Sequence, residues 1–367
     1  MTAMTELWVN RGDFRQTRRV DGECPQPAEG EILVAIDKFA MTANNVSYAA
    51  SGDMIGYWRF FPTHEDPWGK VPVWGMADVV ASRNPDIALG ERLYGFFPMA
   101  SHLVMTPGKI RADGFSDMQS HRQELPGLYN HYARTGAEPG ALQAVENERC
   151  VYFPLFMTGY VIADLLSDND WFGAKQIVIG SVSSKTGFGL ASFLKVFGYP
   201  GQVVGLTSAG NTDFVESLAI TDRVASYDEL ATIARQPSVF VDMAGDKAVR
   251  IQLHQHLEDN MKASLMVGAT HWDAWRPDDM SAPLPGAAPE FFFAPAQIDK
   301  RNAEWGPGVL MEKAYAASIE LALSLGGKLD LQFFTGPDSC AAQWVKLLNN
   351  EVSGKQGILI SLQSEAQ

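Results

Sequence analysis

Four hydroxylated residues and a lysine are concentrated in the run Gly180-Ser181-Val182-Ser183-Ser184-Lys185-Thr186-Gly187. It follows the β-branched triplet Ile177, Val178 and Ile179, and precedes Leu190, Ala191, Phe193, Leu194 and Phe197 at helical spacing. A turn between a buried strand and a helix start suits an anion. Unpaired backbone N–H groups and the positive end of the helix dipole converge there, hydroxyls add donors and an ammonium adds charge. A diphosphate is the natural guest. The lettering is weak as a motif, because a three-glycine dinucleotide fingerprint would need glycines where Ser183, Ser184 and Lys185 stand. A phosphate-loop NTPase is excluded: no glycine precedes Lys185, and the spacing from Gly180 is one residue short.

These residues need a scaffold. A second apolar strand, Val203-Val204-Gly205-Leu206, follows the helical pattern, so strand, crossover helix and strand fit in about thirty residues as one right-handed βαβ unit. Thr207, Ser208 and Asn211 come next, where an NAD-preferring fold carries a carboxylate for the ribose. With no carboxylate to repel a 2′-phosphate, NADPH is favoured. Lys185, Ser208 and Asn211 then lie near that phosphate, and residues 184–187 near the pyrophosphate. Ser181, Ser183, Thr186 and Thr207 complete the hydroxyl set. Met243, Gly268 and Thr270 sit at the ends of two further expected strands, on the edge where ligands collect in open α/β sheets. Three competing readings stay open: Lys185 as a solvated surface lysine, the hydroxyls as helix caps, and the whole segment as a βαβ unit of an unrelated α/β protein.

Composition narrows the function classes. The 367 residues suffice for two domains, and a formal charge of −14 disfavours nucleic acid and anionic membrane surfaces as partners. Cys24, Cys150 and Cys340 are odd in number and widely separated, which argues for a reducing, cytoplasmic setting and against a disulfide framework or a four-thiolate zinc site. No stretch reaches the ~18 uninterrupted apolar residues of a membrane span, and the polar start lacks a secretory pattern. His254 and His256, two apart on an expected helix, point different ways and do not suggest a metal.

Short strands punctuated by glycine and proline make residues 1–155 β-rich, with a segment at 111–150 that lacks the strand pattern and carries some helix. Residues 44–52 read as a loop with a short helical turn, and 154–166 as a helix leading into a nucleotide-binding domain over 156–320. Residues 321–367 return as strand, helix and strand. Proline-rich residues 277–289 form a surface loop, and Phe291 opens a further strand.

This order resembles the medium-chain dehydrogenase/reductase superfamily, in particular its zinc-free quinone oxidoreductase and enoyl reductase branches. Glu29-Gly30-Glu31-Ile32-Leu33-Val34 is similar to that family's opening strand, Gly90-Glu91-Arg92-Leu93 to its turn, and Gly354-Lys355-Gln356-Gly357 to its closing strand. The resemblance implies a Rossmann-type doubly wound parallel sheet beside a GroES-like β-rich domain. It places Gly187 on the last glycine of the phosphate turn, and the family's glycine pair on Ser184 and Lys185. Trp74-Gly75-Met76-Ala77-Asp78 replaces the zinc branch's glycine, histidine and glutamate, so no metal is implied.

The family likeness also singles out Tyr48 as proton donor to a carbonyl or enone substrate, with Asn44 or Asn45 orienting substrate or water, and Thr158 near the cofactor. A phenol suits the task because it is neutral near pH 7 and yields its proton only as charge builds on oxygen. A Tyr48 that merely bonds backbone remains the alternative. Tyr129, Asn130, His131 and Tyr132, with Trp58, Phe60 and Phe61, suit an aromatic substrate wall, or equally core or a dimer contact. His271 and Trp272 are further candidates to face substrate. The implied function is NADPH-dependent hydride transfer to a small carbonyl, quinone or enone, in a possible homodimer. The rival class is a non-catalytic NADPH-binding redox sensor.

Overall fold

The computed structural model describes residues 3–267 and 283–363, which divide into two compact units, Met1–Val151 with Asp330–Gln367, and Tyr152–Leu329. The division falls at 151 and 329, where composition had suggested 155 and 320.

The first unit is β-rich. Ile32, Val34, Ile36 and Phe39 are fully buried along the strand Ile32–Met41, deep in a nine-stranded sheet. The main order of that sheet is Asp330–Thr335, Gln356–Ser361, Ile32–Met41, Pro72–Ser82, Arg92–Pro98, His131–Arg134, Gly114–Asp117 and Pro107–Gly108. The far end of the chain thus supplies strands beside the beginning: Gln356–Ser361 runs antiparallel to Ile32–Met41, pairing Ile360 with Phe39. Trp344, fully buried, donates its indole N–H to the Phe14 carbonyl at 2.7 Å. Helix α1 (Ala43–Ala50) follows the central strand, so Asn44 and Tyr48 lie on a regular helix and not in a loop. Asn45 fixes its start, accepting the Thr42 N–H at 2.6 Å while donating to the Pro72 carbonyl at 2.8 Å.

Residues 111–150 depart from expectation. They contribute two strands, Gly114–Asp117 and His131–Arg134, to the large sheet. Each has four residues, too short for an alternation to register in sequence. Fully buried Phe115 and Tyr132 stack across them at 5.8 Å. Helix α2 (Glu146–Asp168) also begins eight residues before the proline expected to start it. Glu146 and Glu148 in its first turn suit the positive end of the dipole, and Pro154 lies inside. Among the described residues α2 is the one helix long and apolar enough to cross a membrane; 78% of its apolar window is buried within the protein.

The second unit carries strands β1 (Gln176–Gly180), β2 (Gln202–Thr207), β3 (Arg223–Ser226), β4 (Ser238–Asp242), β5 (Met261–Met266) and β6 (Pro289–Phe291). All pair in parallel, in the order β3-β2-β1-β4-β5-β6. This is the doubly wound Rossmann order, and it reverses between β1 and β4, where Gly180 pairs with Asp242. Helix α3 (Lys185–Val196) is the crossover from β1 to β2, and α4 (Lys247–Leu257) follows β4. Strand β6 ends at Phe291, and Phe293 precedes an unexpected helix, Ala294–Trp305, which Pro295 helps to start. Phe291 and Phe293 are exposed, so a β-prone run of three phenylalanines misleads about where the strand lies.

Helix α2 presses on α3 through glycine. A Cβ at Gly159 would lie 2.8 Å from the Leu190 nitrogen and 3.3 Å from the Thr186 carbonyl oxygen, both backbone atoms that cannot rotate away. Gly159→Ala should therefore cost about 1–3 kcal/mol by forcing the helices apart. The denaturant midpoint measures this, and an unshifted midpoint would show that the contact yields freely.

Candidate functional site

The β1–α3 turn is wound tightly by its own polar groups. Ser181 is left-handed at φ +50°, an uncommon state for a residue with a side chain, and its N–H donates to the Tyr227 hydroxyl at 2.9 Å. The Val182 N–H reaches across to the Leu206 carbonyl, and the Ser184 N–H returns to that of Ser181, both at 2.9 Å. Ser184 caps α3, accepting the Gly187 N–H at 3.1 Å. A Cβ at Gly187 would lie 2.6 Å from the Ser181 carbonyl oxygen and 2.8 Å from the Val182 Cα, so only glycine lets the helix start this close. The buried Ser183 hydroxyl accepts from the Thr207 hydroxyl at 2.9 Å, which leaves the Ser183 proton for another acceptor.

Lys185 is the first residue of α3 and is buried, so it is not a solvated surface lysine. Burial pushes its ammonium down from the ordinary 10.5 to about 8. Thr186 is half-buried in the first turn of α3.

At the neighbouring strand ends, Ser208 is exposed and accepts from the Asn211 amide at 2.9 Å, while Met243 is buried just beyond β4. Asp242, ending β4, is buried with its charge met by Arg250 at 3.0 Å and by the N–H groups of Ala244 and Gly245. Burial still pushes its carboxyl above the ordinary value. Thr158 turns its hydroxyl to the Pro154 carbonyl of its own helix at 2.9 Å. Gly268, Thr270, His271 and Trp272, and residues 277–282 of the proline-rich loop, lie outside the described residues.

In the first unit, Asn44 and Tyr48 share one face of α1, one turn apart. The Tyr48 oxygen accepts from Asn44 Nδ2 at 2.7 Å and from Trp74 Nε1 at 3.2 Å. Its ring is 5% exposed, packed 4.5 Å from Tyr57 and edge-on to Phe96 at 5.4 Å. Burial pushes the phenol well above its ordinary value, with the two N–H donors pulling the other way. Tyr48 is thus a neutral hydroxyl near pH 7. Asn45 is taken up by the start of α1 and is not placed to orient a substrate.

The four residues 129–132 separate. Tyr129 joins the cluster, its hydroxyl 2.9 Å from that of Tyr57. Asn130 accepts from Arg122 Nε at 2.9 Å, and the fully buried Tyr132 accepts from Arg122 Nη1 at 3.0 Å. Arg122 also pairs with buried Asp117 at 2.6 Å, so Asn130 and Tyr132 belong to an ion-pair network in the core. His131 is exposed. Phe60 and Phe61 pack in the same aromatic cluster as Tyr48, and Trp58 is buried with its ring over Gly52 and Gly69.

Tyr227 and Trp74 were not among the candidates. Each acts through a hydrogen bond between distant chain segments, and only Trp74 left a trace, as the first residue of the run that stands where the zinc branch carries its glycine, histidine and glutamate. Among the described residues no three His, Cys, Asp or Glu side chains group as metal ligands. His254 bonds the Pro285 carbonyl and the Ser264 hydroxyl, and His256 the Ile233 carbonyl.

Solved structures share this architecture over nearly the whole chain. CurA from Vibrio vulnificus, in complex with NADPH, matches with a TM-score of 0.65 at 12% identity over 98% of this chain and 99% of that one. A mutant form of enoyl thioester reductase from Candida tropicalis matches at 0.58 and 10% identity, covering 99% and 100%. The quinone oxidoreductase from Coxiella burnetii matches at 0.53 and 14% identity, covering 99% and 100%. The chain shares the fold of these three structures. No curated protein matches it in sequence. A family model described as "protein of unknown function (DUF2855)" matches residues 39–353.

Lys185 makes stability depend on pH. Its folded value, about 8, lies below the ordinary 10.5, so the penalty for a charged buried lysine is full below pH 8 and fades as pH rises towards 10.5. Lys185→Met should stabilise the unliganded protein near pH 7 by up to about 3 kcal/mol, with the gain closing towards pH 10.5. Thermal melting across that range tests this, and a gain that ignores pH would place its origin elsewhere.

Proposed function

The chain belongs to the DUF2855 family, and we propose that it is an NADPH-dependent oxidoreductase, working without zinc, that delivers hydride to a carbonyl or to a double bond conjugated with one. The observation that carries this reading is the buried ammonium of Lys185 at the phosphate turn of a Rossmann sheet. The turn fits the cofactor. Gly187 lets the start of α3 close on the Ser181–Val182 peptide, Ser183 keeps a proton to give, and no carboxylate stands among residues 207–211 to repel a 2′-phosphate. That CurA was solved with NADPH supports the same choice.

When bound, NADPH supplies the hydride. Lys185, Ser181, Ser183, Ser184, Thr186 and Gly187 hold its pyrophosphate end, with Thr207, Ser208 and Asn211 towards the ribose phosphate. Thr158, Met243, Gly268 and Thr270 remain candidates for the rest. Tyr48 gives its proton as charge builds on the substrate oxygen. The aromatic cluster around it suits a flat, conjugated substrate, in keeping with the quinone and enoyl reductase neighbours.

The burial of Tyr48 favours a second reading, in which the protein binds NADPH as a redox sensor without turnover. NADPH absorbance followed against a panel of aldehydes, quinones and enones separates the two. Consumption supports the enzyme; saturable binding without consumption supports the sensor. No saturable binding of either reduced nicotinamide nucleotide would end both.

Lys185→Ala should weaken NADPH at least tenfold more than NADH, as loss of a charge-assisted phosphate contact requires; equal losses would remove the lysine from the 2′-phosphate. A bound phosphate favours the charged lysine, so NADPH binding takes up a proton above about pH 8 and affinity falls as pH rises through that value. Isothermal titration in buffers of different ionisation heat reads this directly, and the absence of proton uptake would count against the contact. Tyr48→Phe should lower turnover by about 10²-fold or more while leaving NADPH affinity intact.

A further inference from the structure

Trp74, on the strand Pro72–Ser82, and Asn44, on α1, meet at a single atom. Both donate to the phenolic oxygen of Tyr48, at 3.2 and 2.7 Å. A hydroxyl oxygen has two acceptor positions and one proton, and an indole N–H can only donate. Trp74 therefore occupies one acceptor position whatever way the Asn44 amide is turned. With the amide nitrogen on the second, the Tyr48 hydrogen must point away from both partners. The hydroxyls of the two neighbouring tyrosines, Tyr57 and Tyr129, are bonded to each other.

We infer that Trp74 is a positioning residue for Tyr48: with Asn44 it fills the acceptor side of the phenolic oxygen, so that Tyr48 meets a substrate only as a donor and its charge is held afterwards. This rests on the reductase reading above. Hydride addition to the electron-poor carbon of the substrate, which bound NADPH would supply, would leave an electron pair on the substrate oxygen. The Tyr48 O–H bond breaks, its proton passes to that oxygen, and the bonding pair stays on Tyr48 as phenolate. Water then returns the proton. In the interval the two N–H groups face an anion, and charge-assisted bonds of that kind are about twice as strong as neutral ones. Surrounding rings oppose a phenolate by excluding water, so the two donors are what makes the proton transferable at all. Asn44 is thereby assigned to Tyr48, not to the substrate.

The test reads Tyr48 itself. A fluorinated tyrosine of low intrinsic pKa, placed at position 48, is titrated by fluorine NMR in the nucleotide-free protein. Trp74→Phe keeps an aromatic ring against Tyr94 and Phe96, which lie 5.6 and 5.2 Å from the indole, and removes only the N–H side of it. The fluorinated phenol should then titrate about one unit higher, a tenfold loss of anion stabilisation, and Asn44→Ala should do the same. In the natural protein, Trp74→Phe should lower kcat about tenfold with KM for NADPH unchanged. An unmoved or lowered fluorophenol pKa in both variants, with melting curves showing them folded, would overturn the inference. A shift with Trp74→Phe but a fall with Asn44→Ala would mean the amide oxygen holds the tyrosine proton, and would overturn it too. Should the natural protein reduce nothing, the reductase reading fails while the fluorine titration still decides whether the two donors act as described.

Discussion

The approach of helix α3 to the Ser181–Val182 peptide governs the second unit's site. Because position 187 has no side chain, the helix begins within van der Waals reach of the turn, and the chain must cross that gap in very few residues. Ser181 adopts the left-handed state to do so, its N–H is drawn to Tyr227, and the first helical residue, Lys185, is carried under cover. The related fold uses a glycine pair to bring backbone near a phosphate. Here the same room is given to hydroxyls and one ammonium. The magnitudes matter: a helix cap such as Ser184 contributes about 1 kcal/mol, while confining a charged lysine costs up to about 3.

The first unit handles burial differently. Tyr48 is as enclosed as Lys185, but a phenol is neutral when enclosed and only its conjugate base is penalised. Burial thus makes one group ready to receive negative charge and the other reluctant to carry it. The turn before Lys185 and the Tyr48 hydroxyl each depend on a neighbour fixed elsewhere in the chain: Tyr227, at the end of β3, takes the Ser181 N–H, and Trp74, on a strand of the large sheet, donates to Tyr48.

Periodicity revealed much of this architecture and little of its chemistry. Strands β1, β2 and β4 are continuous apolar runs, and α3 has a clear helical stripe, so the βαβ core could be read from residues 176–206. Four-residue strands such as His131–Arg134 are invisible to any period, since pairing partners and not their own pattern hold them in place. Pro154 marked a false start because proline is as welcome in a helix's first turn as it is unusual inside one. Lys185 stood out by type, yet its burial depends on Gly187 and on packing no spacing rule contains. Asn130 and Tyr132 looked like site residues for a sound reason, being polar and aromatic in an irregular segment, but buried Arg122 needed acceptors and took them.

The pairing of Gln356–Ser361 with Ile32–Met41 has a bearing on biogenesis. A ribosome releases the early strand long before its neighbour exists, and at ~5–20 residues per second the wait lasts some tens of seconds. The central unit, continuous in sequence, can mature within that time. Meanwhile the Phe39–Met41 end of that strand presents unsatisfied amides and carbonyls, a surface on which stray chains dock. Nascent molecules of this protein are therefore most vulnerable late in translation, and truncation just short of residue 356 would leave that vulnerability permanent.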